Sequence, residues 1–449
     1  MDTGRYLKVR PASKLEGTVK LAGDKSLSHR ALLLASLAEG DSTIENCLHA
    51  GVTEAMMECL RDLGVELDVA APLPGDAKGS ATVCIRGRGM RGFKEPERPL
   101  DCRGSATTMR LMAGILSGLP FQSTLTGNDR LRERPMDRIV EPLRVKGAEI
   151  RTSDGNAPLS FFPSQLKPSS HVLRVASAQV KSALLFAGLF SDGPTTVSEP
   201  HASRDHTERM MRKLGVHLDE WSDQDGRHAV RIREGVHRLP PMKVRLPSDP
   251  SSAAFIIVSG LIVPESDITI PDVCVNPGRT GLLSVLEAMG AEIRLRREPG
   301  ANGDEPVASI KVGSGPLLNV TVEGHRVPAM IDEFPIFAVA ATQAKGTTTV
   351  KDAAELRLKE SDRIQAVTEE LTKLGANIEP RDDGFTVHGP TRLKGAVVDG
   401  RGDHRLAMSL AVAGLAAEGE TVIEGWEVMN ESFPEFPLVL RRLGAEVSW

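Results

Sequence analysis

Clusters of cations and short polar residues stand at the starts of apolar, helix-forming segments in this chain. They read GDKSLSHR (Gly23–Arg30), CRGSATTMR (Cys102–Arg110), ASAQVKS (Ala176–Ser182), PSDPSS (Pro247–Ser252), MIDEFP (Met330–Pro335) and GDHRLAM (Gly402–Met408). A core helix has no structural use for Lys25, Arg30, Arg110, Lys181 or Arg405 at or near its first turn, and a cation there opposes the helix macrodipole. A local rule broken repeatedly at one recurring point marks a functional region. Free N–H groups at helix starts, joined by Lys and Arg side chains, trap anions. Six such starts facing one gap between two lobes would add about three positive charge equivalents, at roughly half a charge each. The expected ligand is small and multiply anionic, carrying phosphate and carboxylate groups. For any single cluster the residues leave a plainer account open: Ser, Thr and Asp as N-caps beside surface cations.

Two more groups could move protons. In ELRLKESDRI, Lys359 and Arg363 are four apart, which places both on one face of a helix start, with Glu360 between them. Two flanking cations hold such a carboxylate ionised or let it exchange a proton with a bound reactant. A solvated charged helix has the same spacing. Asp332-Glu333 interrupts the apolar run AMIDEFPIF, where acids are costly unless paired or functional; Asp332 as a helix cap is the alternative. GRGMRG (Gly87–Gly92) matches a dinucleotide-binding pattern, but FKEPERPL follows it and cannot be an apolar helix. His29, His206 and His404 lack metal-ligand spacing, so no metal is expected. Cys102 beside a helix start reads as a thiol nucleophile or a small core residue.

The elements that must position these groups recur six times. Six apolar helices begin at Ser28, Ser105, Ala178, Pro250, Asp332 and Asp403, each apolar nearly all round and so buried inside a domain. Each is followed by a strand-like run: DSTIENC, QSTLTGN, TTVSEP, DITIPDV, TTTVKDA and ETVIEGW. A second helix then ends at Gly64, Gly147, Gly215, Gly290, Gly375 and Gly444, with Leu or Met four residues earlier and an apolar residue directly after. The copies lie roughly 70–85 residues apart, suited to a small α/β unit used six times rather than to a solenoid. They group as three plus three, with a seam near Met242–Pro250. The opening strand KLEGTVKLAG belongs cleanly to neither set, and Pro72–Lys78 and Glu298–Glu305 read as exposed insertions.

The 449 residues are 40% hydrophobic, enough for two or three cores. A formal net charge of -5 and an aromatic content of 4% argue against nucleic-acid partners. Five scattered cysteines without CxxC fit a reducing compartment. The first residues lack an apolar secretory core, and no apolar stretch is long enough for a bilayer. A cytoplasmic protein with no membrane partner is expected.

On these residues the chain resembles the enolpyruvyl transferases, in the branch that acts on shikimate 3-phosphate. The blocks GDKSLSHR, LTGNDRLRERPM, SAQVKSALL, SRDHTE, MIDEFP, ELRLKESDR and DHRLAM follow the family's order over essentially the whole chain. The resemblance implies an α/β fold of two similar domains, each made of three βαβαββ units in an inside-out barrel. It places the first domain at 22–245 and the second at 1–21 plus 246–449, with hinges near 21–23 and 243–248. It implies a monomer that uses no cofactor and no metal. The implied reaction joins phosphoenolpyruvate to the 5-hydroxyl of shikimate 3-phosphate and releases phosphate, within aromatic amino-acid biosynthesis. By resemblance, Lys25 contacts phosphoenolpyruvate and the reacting centre. Ser26, Arg30, Ser177, Ala178, Gln179, Ser203 and Arg204 hold shikimate 3-phosphate, and Gln179 also meets phosphoenolpyruvate. Arg134, Arg363 and Arg405 hold phosphoenolpyruvate beside Ala106. Asp332, as proton acceptor, and Lys359 sit at the 5-hydroxyl, and Glu360 handles the methylene proton.

The chain departs from the family pattern at Arg103-Gly104-Ser105-Ala106-Thr107, where Gly-Asn-Ser/Ala-Gly-Thr is usual. Ala106 replaces a Gly against which phosphoenolpyruvate lies; its methyl would crowd longer molecules, so tolerance of glyphosate is expected. Arg103 adds a positive charge by the cleft. Glu431 stands where several members carry a phosphoenolpyruvate-binding Lys. The related transferase acting on UDP-N-acetylglucosamine is the alternative, but its loop Cys is missing from Gly127–Met136.

Overall fold

The computed structural model describes residues 6–298 and 305–449, so most of the expected insertion Glu298–Glu305 lies outside the described residues. All six apolar helices form: Lys25–Leu37, Ala106–Leu116, Ala178–Gly188, Pro250–Ile262, Phe334–Thr342 and His404–Ala416. Each is buried along most of its length, polar residues included.

The second helices are Gly51–Asp62, Asp137–Val145, His206–Lys213, Gly281–Ala288, Arg363–Lys373 and Phe436–Arg442. Their ends share one hydrogen-bond pattern. Gly64 N–H donates to Arg61 O at 2.8 Å and Val65 N–H to Leu60 O at 3.0 Å, and the other five copies repeat both bonds. This is the Schellman closure, which requires a left-handed residue after the cap. All six glycines have positive φ, from +83° to +105°. The Leu or Met four residues before each Gly is the buried acceptor residue of the longer bond. Burying such a side chain is worth about 1.5–3 kcal/mol.

The chain divides into two compact units, Gly23–Gly75 with Ser80–Leu246, and Met1–Ala22 with Asp76–Gly79 and Pro247–Trp449. Three sheets belong to the first unit. Its middle repeat orders Leu100–Asp101, Ser123–Thr126, Asn156–Phe162 and Glu149–Ser153, with the first pair parallel and the rest antiparallel. The other sheets repeat this order, one of them with a split first strand, so each repeat is βαβαββ. In the second unit the three inner helices pack on one another; in the first, Ala106–Leu116 packs against both of its counterparts.

Two leading strands are exchanged. Glu16–Thr18 precedes the helix Lys25–Leu37 but pairs with Asp267–Cys274 of the second unit. Lys243–Arg245 precedes Pro250–Ile262 but pairs with Glu39–Leu48 of the first. The opening segment, which the sequence left unassigned, therefore completes sheets of the second unit, where Tyr6–Val9 also pairs with Thr421–Glu424 and Val447–Ser448. Both recipient strands carry a register shift at a positive-φ residue, Asn46 and Asp272. The bulged backbone at Asn46 lies so close to Gly23 that a Cβ there would stand 1.9 Å from Asn46 O. Only Gly fits directly before Asp24 and Lys25.

The expected insertion Pro72–Lys78 is exposed or half-buried except at Ala77. Asp76–Gly79 belongs to the second unit, where Ala77 and Gly79 are buried. The buried carboxyl of Glu435 lies beside Gly79 and Lys78, and burial pushes its pKa up. Among the described residues no helix is long and apolar enough to cross a membrane.

Candidate active site

In the first unit three helix starts meet. Asp24 caps Lys25–Leu37 by accepting from Leu27 N–H at 2.8 Å, Ser105 caps Ala106–Leu116, and Ser177 caps Ala178–Gly188. Ser105 Oγ lies 3.4 Å from His29 Nε2, and Gln179 Nε2 donates to Thr107 Oγ1 at 3.0 Å. Gln179 Oε1 accepts from Arg110 at 2.6 Å, which fixes the direction of its amide. Arg30 is buried and fully forked: it donates to Thr207 Oγ1 at 2.7 Å, Ser182 Oγ at 2.8 Å and Ser26 O at 2.9 Å. Burial lowers the His29 pKa to about 4, so this imidazole is neutral and structural. Lys25, Ser26, Ser177, Ala178 and Gln179 are half-buried around this junction, and Ala106 is buried at the first position of its helix. Ser203 and Arg204 lie half-buried between the strand Thr195–Glu199 and the helix His206–Lys213; Arg134 is half-buried after the short helix Asp129–Arg132.

In the second unit the other three starts meet through buried charges. Ser251 Oγ donates to Glu333 Oε1 at 2.5 Å and accepts from Arg279 at 2.8 Å, and Arg405 reaches the same Glu333 oxygen at 3.5 Å. Asp403 caps His404–Ala416 through Arg405 N–H at 2.9 Å. The same carboxylate receives Arg363 Nε at 2.8 Å, and Arg363 Nη2 also donates to Glu360 at 2.8 Å. Asp332 lies 3.7 Å from Arg363 and 3.8 Å from Lys359. Burial alone would lower the Arg363 pKa; the carboxylates of Asp403, Glu360 and Asp332 hold it raised. Burial also lowers the Lys359 pKa, with Asp332 pulling the other way, so this ammonium gives up a proton more readily than a free lysine. The arrangement can hold an anionic group against fixed cations while a carboxylate takes or returns a proton.

Several sequence expectations change here. Lys359 and Arg363 do not share a helix face: Asp362 caps the helix by accepting from Gln365 N–H at 3.1 Å, so helix begins at Arg363 and Lys359 ends the preceding turn Ala354–Leu358. They meet through Asp332 instead. Glu333, the residue before Phe334–Thr342, does not cap that helix through its side chain. The capping and functional readings of the other clusters hold together, since five of the six helices have side-chain caps. Three of those caps are Asp24, Asp249 and Asp403, whose charge offsets the helix dipole. Anion attraction therefore rests on Lys and Arg side chains more than on summed dipoles. Arg103 is not a loose cation: it donates to Glu54 at 3.1 Å and Glu58 at 2.5 Å, with φ at +50°. Cys102 is buried with its thiol pushed well up, chiefly by burial, and is a core residue. Glu431 is half-buried at the end of the turn Trp426–Glu431, with no role assigned by the geometry. Asp403 and Glu333 as holders of Arg363 and Arg405 were missed; acids inside GDHRLAM and MIDEFP were the available signal.

Six βαβαββ repeats whose inner helices bring buried arginines, a lysine and carboxylates to their starts define an enzyme of the enolpyruvyl-transferase class. The family model for EPSP synthase (3-phosphoshikimate 1-carboxyvinyltransferase) matches residues 9–440, and the chain belongs to that family. It is 46% identical to the 3-phosphoshikimate 1-carboxyvinyltransferase of Pelotomaculum thermopropionicum, over 97% of this chain and 98% of the relative. It is 47% identical to that of Gloeobacter violaceus, over 96% of this chain and 98% of the relative. The solved EPSP synthase of Acinetobacter baumannii superposes with a TM-score of 0.83 at 37% identity, covering 99% of this chain and all of the other.

Proposed function

We propose that this protein transfers the enolpyruvyl group of phosphoenolpyruvate to the 5-hydroxyl of shikimate 3-phosphate and releases phosphate. The observation that carries this reading is the Arg363 cluster, in which one buried guanidinium binds Asp403 and Glu360 and faces Asp332 beside Lys359. Two carboxylates that share Arg363, one of them also beside Lys359, suit a reaction that moves two protons. In the addition step C3 of phosphoenolpyruvate gains a proton from Glu360, the 5-hydroxyl oxygen bonds to C2, and its proton passes to Asp332. In the elimination step the C2–O bond to phosphate breaks, C3 returns its proton to Glu360, and the enol ether remains. Arg363, Arg405 and Arg134 hold the phosphate and carboxylate groups; Lys25 lies at the reacting centre. Fixed cations stabilise the departing phosphate more than mobile water would.

Ser26, Arg30, Ser177, Ala178, Gln179, Ser203 and Arg204 bind shikimate 3-phosphate in this reading, with Ala106 limiting the space beside phosphoenolpyruvate. A monomer in the cytoplasm is part of the same proposal. Family membership and the lack of a Cys in Gly127–Met136 favour this acceptor over UDP-N-acetylglucosamine. Phosphate release measured with phosphoenolpyruvate and each acceptor tests the reading. Release with shikimate 3-phosphate alone is expected; release with UDP-N-acetylglucosamine alone overturns it.

A further inference from the structure

A buried ionic cluster in the first unit takes no part in the steps above. Lys181 is fully buried, with Nζ 2.7 Å from Glu199 Oε1 and 2.8 Å from Glu208 Oε1. Glu199 and Glu208 are fully buried too, and His228 Nδ1 stands 3.5 Å from Glu199. Ion pairs of this kind are weak devices for stability, because desolvation offsets most of their attraction. Their geometry is specific here, since every polar group of one residue, Ser203, ends on them. Ser203 N–H donates to Glu199 Oε1 at 2.8 Å, and Ser203 Oγ donates to Glu199 Oε2 at 2.7 Å. Ser203 O accepts from Lys181 at 3.3 Å. Ser203 lies four residues beyond Glu199, where the chain has left its strand and not yet begun the helix His206–Lys213.

We infer that Glu199, clamped by Lys181, is a positioning residue that sets Ser203 for the phosphate of shikimate 3-phosphate. This rests on the reading that Ser203 grips that phosphate. A Ser203 hydroxyl whose proton points at Glu199 presents only lone pairs to an incoming phosphate, and these repel it. On binding, Oγ–H turns from Glu199 Oε2 to a phosphate oxygen, while N–H stays on Oε1 and Lys181 keeps the carbonyl. Glu199 thus fixes the backbone of the segment and competes with substrate for one proton donor.

Glu199→Gln separates this role from a structural one. Lys181 keeps Glu208, so its charge stays paired; the amide oxygen keeps the Ser203 N–H, and the amide N–H faces Ser203 Oγ, which frees the hydroxyl proton for phosphate. KM for shikimate 3-phosphate is expected to fall about fivefold, the worth of one donor freed from Glu199, with kcat and KM for phosphoenolpyruvate within about twofold. In a Ser203→Ala background the same change is expected to add less than about twofold, because its effect passes through Ser203. For Glu199→Gln, a rise in KM for shikimate 3-phosphate, a fall in kcat, an equal change in KM for phosphoenolpyruvate, or an undiminished effect in the Ser203→Ala background overturns the inference. Ser203→Ala with unchanged KM for shikimate 3-phosphate overturns the placement of Ser203 in the phosphate site instead. Glu199→Asp keeps the charge but shortens the reach. If Glu199→Gln does not fold, Glu199→Asp must raise the same KM selectively, and failure to do so sinks the inference.

Discussion

Arg363 and Asp403 face each other across two helix starts, Nε to Oδ2 at 2.8 Å, with both side chains buried. Asp403 also caps its own helix on Arg405 N–H at 2.9 Å. One carboxylate thus orients two arginines forty-two positions apart at the extremes, and fixes one through its side chain and the other through its backbone.

Removing that carboxylate should separate orientation from charge. Asp403→Ala leaves a buried guanidinium without its buried carboxylate partner and strips a cap; the expected cost is about 3–5 kcal/mol for the broken pair and about 1 kcal/mol for the cap. Asp403→Asn keeps the cap and should restore part of the thermal midpoint while KM for phosphoenolpyruvate stays high. Equal midpoints for the two variants would count against a capping role.

Lys25 stands at the first position of its helix, where its charge opposes the macrodipole. Lys25→Met should therefore abolish turnover, by at least about a thousandfold if it stabilises charge in the transition state, without lowering the thermal midpoint. A fully active, folded variant would remove Lys25 from the site.

Ala106 is buried at the start of its helix. If its methyl limits the phosphoenolpyruvate site, Ala106→Gly should increase glyphosate inhibition by about tenfold or more, the effect of relieving one overpacked methyl. Low-micromolar inhibition of the unmodified enzyme at modest phosphoenolpyruvate would dispose of the tolerance proposal.

Arg103 carries its charge into an ion pair with two glutamates one helical turn apart. Arg103→Gln should change either KM by less than about threefold and cost about 1 kcal/mol or less, since the pairs are half exposed. A large rise in KM at ordinary salt would restore it to a role in substrate attraction.

Lys146 is buried and donates to Lys167 O at 3.1 Å and Thr195 Oγ1 at 2.6 Å. Burial lowers its pKa from 10.5 to about 8. A lysine depressed in the folded state is bound more tightly by protons in the unfolded chain, so its share of stability rises with pH from about 8 to about 10.5. Below pH 8 the charged form costs up to about 3 kcal/mol, at 1.36 kcal/mol per unit. Lys146→Met should raise the thermal midpoint at neutral pH and flatten that alkaline rise; a slope unchanged by the substitution would exclude Lys146 as its source.

The helix ends show why much of this fold was legible. A Schellman closure needs only a Gly, the residue after it and an apolar residue four before it, all within six positions of chain. Six repeats of that local device mark six units, and the inner helices declare themselves by being apolar on every side. The residue blocks from Lys25 to Arg405 carried the family likeness in the same contiguous way.

Pairings between distant segments were not legible by that route. Nothing in Glu16–Thr18 or Lys243–Arg245 says that each completes a sheet away from the helix it precedes, because a short strand pairs with whichever edge packing brings to it. Arg103 read as a spare cation because Glu54 and Glu58 lie a helix away, and Lys359 met Arg363 across Asp332 rather than along a helix. Sequence alone determined where the second helices end and how the units repeat, since capping and periodicity are written in neighbouring residues. Tertiary structure alone decided which charge faces which, since a buried ion takes its partner from the elements packed against it.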